Sequence, residues 1–238
     1  MSTEVSPRWR RLEPDERRQQ ILAHAVRLFG EHPYPQVSTT DIARSAGVAR
    51  GLVNHYFGTK RDLYLEVVRV MVTIPPVVLD QLPPGTPAQR VDASVDWFLD
   101  VVSRHGRSWL AAMGAGNDPA VDRIRAEADD ATADLMLTAF GLGSVQAQRD
   151  QLRAMLRSWT GLAKAAAREW LEPGPLTRQE VHLLLTHSLR TLIYETFPAV
   201  SPQAAAALST IPAAPASPAR PALLGVVAPT SGGPAGAS

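Results

Sequence analysis

Apolar residues recur along this chain three and four positions apart, the period of one helical face. Ile21, Leu22, Ala25, Leu28 and Phe29 form the first stripe. It predicts a helix that starts near Pro14 and Asp15, because proline suits the first turn and acids suit its positive end. Gly30 and the Pro33-Tyr34-Pro35 stretch end it. Ser38 then stands three residues before Asp41, a capping box with Asp in the usual Glu position. Ile42 and Ala43 face inward, and Gly47 supplies the left-handed turn that stops this short helix. A second short helix runs from about Ala49 to Tyr56, and a longer one from Lys60 with Leu63, Val67, Val70 and Met71 inward, ending at Pro75-Pro76.

Helical periodicity continues over Pro87–Arg104 (Val91, Val95, Phe98, Val101, Val102), Ser108–Met113 and Asp118–Phe140. Two long helices follow. One spans about Ser144 to Leu171, and the other Thr177 to Thr196, which opens on the capping box Thr177-Arg178-Gln179-Glu180. Strict alternation is rare, so the expected fold class is all-α: an N-terminal three-helix domain with a helix-turn-helix, then a C-terminal helical domain. The boundaries expected are 1–62, 63–197 and 198–238. The last segment holds eight of the twenty prolines and thirteen alanines, with Arg220 its one formal charge. That composition predicts a disordered, partly polyproline tail, in which Leu223, Leu224, Val226 and Val227 form a short apolar run that can dock.

Composition narrows the function classes. The 238 residues are 45% hydrophobic and 20% charged, ordinary for a globular chain. No run of about 18 apolar residues or secretory h-region occurs, which predicts no membrane partner and a cytoplasmic location. Cys is absent, which removes disulfides, thiolate nucleophiles and thiolate metal sites. His182 and His187 are five apart and off a common helix face, and neither a phosphate loop nor a nucleophile elbow appears. No enzyme, metal or cofactor is expected. Net charge is +1, but residues 1–65 hold ten Arg/Lys against seven Asp/Glu. The positive end is therefore N-terminal, as phosphate contact requires.

The chemistry concentrates between Ser38 and Lys60. Two short helices across a glycine turn have the dimensions of a helix-turn-helix, a corner that many all-α proteins also contain. Arg50 can donate two parallel hydrogen bonds to a guanine, and Asn54 and His55 follow on the reachable side. Ser38, Thr39 and Thr40 sit at a helix N-terminus, which favours a phosphate, and Arg44 and Lys60 flank the unit. Arg8, Arg10, Arg11, Arg17 and Arg18 form either an arm that reaches DNA or a solvated terminus.

Residues 21–63 read I-L-x-x-A-x-x-L-F, then S-T-T-D-I-A-x-x-A-G-V-x-x-G-x-V-x-x-Y-F-x-x-K-x-x-L. This resembles the N-terminal domain of TetR-type transcriptional regulators. The resemblance implies a homodimeric repressor that binds operator DNA and responds to a ligand. In it Ser38 and Thr39 match hydroxyls that meet phosphate. Arg50, Gly51, Asn54, His55 and Tyr56 fall in the recognition helix, and Lys60 matches the lysine opening the fourth helix. Asn54 departs from the family's usual Tyr, and Pro33 from its usual Gly, which stiffens that loop.

The resemblance places a ligand pocket and a dimer bundle in the C-terminal body. Pocket candidates are Trp97, Trp109, Met113, Met136 and Trp159, types that also serve as core, with His105, Arg107 or Arg157 able to orient a polar head. Few charges lie among them, so a small hydrophobic effector is expected. Leu162, Ala166, Leu185, Leu189 and Leu192 are the candidates for the dimer interface, unless that face packs within the subunit. The alternative function is a DNA-binding regulator without a small-molecule ligand, controlled by a protein partner or acting as an activator.

Overall fold

The computed structural model describes residues 13–114, 118–172 and 174–210. Among these every regular element is helical, so the fold is all-α. Arg8, Arg10 and Arg11 of the expected arm and the run at 222–227 lie outside the described residues. Two compact units divide between Val68 and Arg69, rather than between 62 and 63.

The first unit contains α1 (Pro14–Glu31), a 3-10 turn (Tyr34–Gln36), α2 (Thr39–Ala46), α3 (Arg50–Phe57) and the first turns of α4 (Lys60–Val72). Ile21, Ala25 and Phe29 of α1, Ile42, Ala43 and Ala46 of α2, Val53 and Phe57 of α3 and Leu63 and Val67 of α4 are buried. They are spaced at helical period, so each helix presents one stripe to a shared interior. The boundary falls beyond 62 because α4 is tied back to α1. Tyr64 meets Phe29 and Tyr34 with ring centroids 5.1 and 4.7 Å away, and Glu66 pairs with Arg18 at 3.1 Å. Val70, expected to face inward, is 50% exposed.

The second unit contains α5 (Val78–Gln81), α6 (Pro87–Gly114), α7 (Pro119–Ala139), α8 (Arg149–Leu171), α9 (Arg178–Thr191), a π turn (Leu192–Thr196), α10 (Phe197–Val200) and α11 (Pro202–Ser209). α6 joins the two helices expected at 87–104 and 108–113 across a kink at His105, whose φ/ψ are −119° and 19°. α8 starts five residues later than expected. Leu142 and Val145 are buried in the preceding turn, and Gln148 takes a left-handed φ of 57°.

Two buried clusters organise this unit. One gathers Val91, Leu137, Phe140, Leu152, Leu156, Leu189, Ile193 and Phe197. The other gathers Val95, Leu99, Ala163, Ala166, Val181 and Leu185. Trp159 packs against both. Charge ladders flank them. Asp92, Asp96 and Asp100 of α6 meet Arg190 (2.6 Å), His182 (3.6 Å) and Arg178 (2.6 Å) of α9 in reverse order, so the helices run antiparallel. Asp130 and Asp134 of α7 meet Arg157 and Arg149 of α8 at 2.8 and 2.9 Å. Such part-exposed pairs contribute at most about 1 kcal/mol each. Their order fixes helix register.

Within the segment expected as a tail from 198 onward, residues 198–210 are described and folded. α10 and α11 fold onto the first cluster, with Phe197, Ser201 and Ala204 fully buried. Pro198 lacks the N–H that would bond four residues back, and the chain widens into the π turn just before it. Ser201 caps α11 and donates to the Ala147 carbonyl at 3.3 Å. Gln203 Oε1 accepts from the Gln146 and Ala147 amides at 3.0 and 2.9 Å. Proline at the first position of α11, behind a serine cap and ahead of four alanines, is a helix start; composition alone hides it.

Candidate nucleic-acid interface

The corner between α2 and α3 is made by local chemistry. Ser38 Oγ accepts from the Asp41 amide at 3.1 Å, and Asp41 accepts from the Ser38 amide at 3.1 Å. α2 ends at Gly47, whose φ of 65° and ψ of 35° suit a residue without a Cβ. The Val48 amide reaches back to the Ala43 carbonyl at 3.0 Å, which closes the helix end. α4 opens on the same device: Asp62 accepts from the Thr59 amide at 3.0 Å and hydroxyl at 2.6 Å. Hydrogen bonds from Ser38 hold the Asp41 carboxyl below its ordinary pKa, and those from Thr59 do the same for Asp62.

α3 buries Val53 and Phe57 and turns Arg50, Gly51, Asn54 and His55 to solvent. Arg50 and Asn54 lie four apart, as do Gly51 and His55, so two adjacent rows form one outward face. Tyr56 is half-buried at its edge, with its ring 5.3 Å from that of His55. Thr40 and Arg44 are exposed on α2 and Thr39 is half-buried. Arg44 pairs with Asp41 at 3.1 Å.

Two expected phosphate ligands are already engaged. The Ser38 hydroxyl donates to Asp41 at 2.5 Å, so to donate to a phosphate it turns its proton away from Asp41 while its oxygen still caps the Asp41 amide. Lys60 Nζ donates to the Tyr34 carbonyl at 2.6 Å and sits 4.1 Å from the Tyr34 ring centroid. It pins the Pro33-Tyr34-Pro35 turn and keeps two further N–H groups. Its partner lies 26 residues away, beyond the reach of a motif.

Sequence reading also missed the seam between α1 and α2. His24 Nδ1 lies 2.7 Å from Ser45 Oγ, which also accepts from Arg27 at 2.7 Å. Burial lowers the His24 pKa, and the Arg27 charge lowers it further. The fold thus favours neutral His24. Its contribution is full above the unfolded value of 6.5 and is lost as pH falls below it. Lowering pH from about 7 to about 5 is expected to destabilise the first unit less in His24→Gln than in the parent. Urea midpoints at the two pH values check this, and equal losses would remove His24 as the cause.

The residues expected to line a pocket lie as follows in the second unit. Met136 and Trp159 pack against the same buried cluster. Trp109 lies edge-on to Phe98 at 6.2 Å, and Phe98 and Trp159 pack on the other cluster. Trp97 is half-buried. The side chain of Met113 lies outside the described residues. Trp159 Nε1 donates to Ser188 Oγ at 2.9 Å.

Three expected dimer residues are corrected. Ala166 is 4% exposed and Leu185 and Leu189 are 0% exposed, because each faces the subunit's own core. Leu192 is half-buried against it. Leu162 alone of the five is outward. It is 37% exposed, and Leu183, Leu184 and Tyr194 of α9 and the π turn are 42–50% exposed.

The fold and this outward face define a helix-turn-helix protein with a separate helical body. Residues 21–67 match the family described as bacterial regulatory proteins, tetR family. Residues 87–192 match the tetracyclin repressor-like C-terminal domain. The chain belongs to the TetR family of transcriptional regulators. It is 43% identical over 56 residues to the regulator BetI of Agrobacterium fabrum, 24% of this chain and 27% of that one. It is 32% identical over 111 residues to the regulator HbdR of Aromatoleum sp. (strain CIB), 46% of this chain and 48% of that one. The match thus spans at most about half of either relative. A TetR-family regulator from Streptomyces coelicolor superposes with a TM-score of 0.64 at 25% identity, over 83% of this chain and 89% of that one. The family is one of regulators, not enzymes. Among the described residues no helix is long and apolar enough to cross a membrane.

Proposed function

We propose that this protein is a homodimeric repressor that binds palindromic operator DNA through α3 and is released by a small, largely apolar molecule. The observation that carries the reading is the outward face of Arg50, Gly51, Asn54 and His55, with Val53 and Phe57 anchoring its back. Arg50 reads a guanine and Asn54 an adenine or a phosphate. Thr39, Thr40, Arg44, Tyr56 and Lys60 hold the backbone. Two copies about 34 Å apart meet successive half-sites.

The dimer is supported by the exposed Leu162, Leu183, Leu184 and Tyr194. Gly161 adds a second clue. A Cβ built there meets nothing within 4 Å, yet glycine inside a helix costs about 1 kcal/mol relative to alanine. A close helix crossing by a second copy accounts for it. The effector's apolar character is supported by half-buried Trp97, Trp109, Met136 and Trp159, while nearby acids of α6 are taken up by α9. Release follows from linkage: each ~1.4 kcal/mol of preference for the non-binding form lowers DNA affinity tenfold.

Fluorescence anisotropy with duplex from just upstream of the protein's own coding region, against a scrambled duplex at several salt concentrations, tests this. Binding tighter than the scrambled control by ~10³ or more, with a steep salt slope, is expected. No binding at low salt overturns it. Arg50→Ala is expected to lose ~1–3 kcal/mol on the operator and relax one base position. Equal loss on both duplexes would reassign Arg50 to a phosphate.

A further inference from the structure

Gly51 is the second residue of α3, and among the described residues nothing explains it. A Cβ built there meets no atom within 4 Å, and its φ is not in the left-handed range. Alanine fits the position in the free protein and makes a better helix. Gly47, four residues earlier, differs: its φ of 65° requires glycine. A helical glycine with neither steric nor conformational need fits close approach by an outside body. Gly51 stands on the same face as Arg50, Asn54 and His55.

We propose that Gly51 is a specificity-determining residue: its bare Cα lets α3 sink until a base edge touches the helix backbone. This rests on the DNA-binding reading above and adds what that reading leaves open, namely how deeply α3 sits. Arg50 and Asn54 flank the bare position by one and three residues. Their hydrogen bonds to base edges need donor and acceptor within about 3.2 Å, so the depth that Gly51 permits decides whether they form. Phosphate contacts from α2 tolerate a shallower seat, because long cationic side chains can extend.

The test uses the full chain. Wild-type protein selects duplexes from a randomised library, and anisotropy then compares Gly51→Ala, Gly51→Ser and Gly51→Leu on the selected duplex and on a scrambled duplex. Circular dichroism melting is run on each variant. Gly51→Ala is expected to keep or raise Tm, by up to about 2–4 °C. It is expected to weaken the selected duplex at least about tenfold and leave the scrambled duplex unchanged. Loss on the selected duplex should grow with side-chain size. Unchanged binding of the selected duplex by all three variants overturns the proposal while leaving the DNA reading intact. Equal loss on both duplexes also overturns it, since a phosphate would then be the approaching group. A library from which wild type enriches nothing removes the DNA reading and this inference together.

Discussion

Phe197→Ala is expected to destabilise the C-terminal unit by about 3–5 kcal/mol, the range for deleting a fully buried aromatic ring. Phe197 is 0% exposed and lies in the cluster with Leu152, Leu156, Leu189, Ile193 and Ala204. Those neighbours come from α8, α9, the π turn and α11, so the cavity left behind is walled on several sides and collapses poorly. Pro198 restricts the backbone beside it. The loss also undercuts α11, whose Ala204 is buried in the same cluster. Urea unfolding followed by tryptophan fluorescence measures the effect, since Trp97, Trp109, Trp159 and Trp170 all belong to this unit. Ala206→Gly, at an exposed position of α11, is the comparison and is expected to cost about 1 kcal/mol or less. A Phe197→Ala cost as small as that would mean that the segment beyond Thr196 contributes no core.

The features legible in the sequence are those decided within one helical turn. The Ser38–Asp41 box, the Gly47 turn and the Thr177–Glu180 box need only neighbouring residues, and all three form. Inward stripes such as Ile21, Ala25 and Phe29 follow from period alone. Long-range partners do not. Lys60 has a carbonyl to bind because the chain returns Tyr34 to it, and His24 meets Ser45 only once α1 lies on α2. α9 shows a third limit. It is apolar on two faces, with Val181, Leu185 and Leu189 inward and Leu183 and Leu184 outward. Periodicity does not say which of these residues the subunit itself covers. At the C-terminal end, proline and alanine content outweighed a local signal. The Ser201 cap and Pro202 start α11 within a stretch whose average composition is that of a tail.

For the operator-binding dimer proposed above, Leu184→Asp is expected to leave only the 25.7 kDa monomer, and with it to remove high-affinity operator binding. Leu184 is 42% exposed and Leu183 50% exposed, so a carboxylate there is solvated in a lone subunit and leaves the fold intact. In a dimer built on this face a two-fold axis repeats every substitution. Both new charges would then be desolvated within an interface of apolar side chains. Removing charge from water without a partner costs several kcal/mol per ion, enough to outweigh an interface held by a few apolar anchors. A monomer engages one half-site at a time and forfeits the gain from linking two, about 10²–10⁴ in affinity. Light scattering gives the mass, circular dichroism checks helicity, and anisotropy on the selected duplex gives the loss. An unchanged dimer mass would show that copies associate elsewhere and that this apolar row serves another purpose. A monomer that still binds the palindrome with parental affinity would separate dimerisation from operator recognition, and the paired-half-site reading would fall.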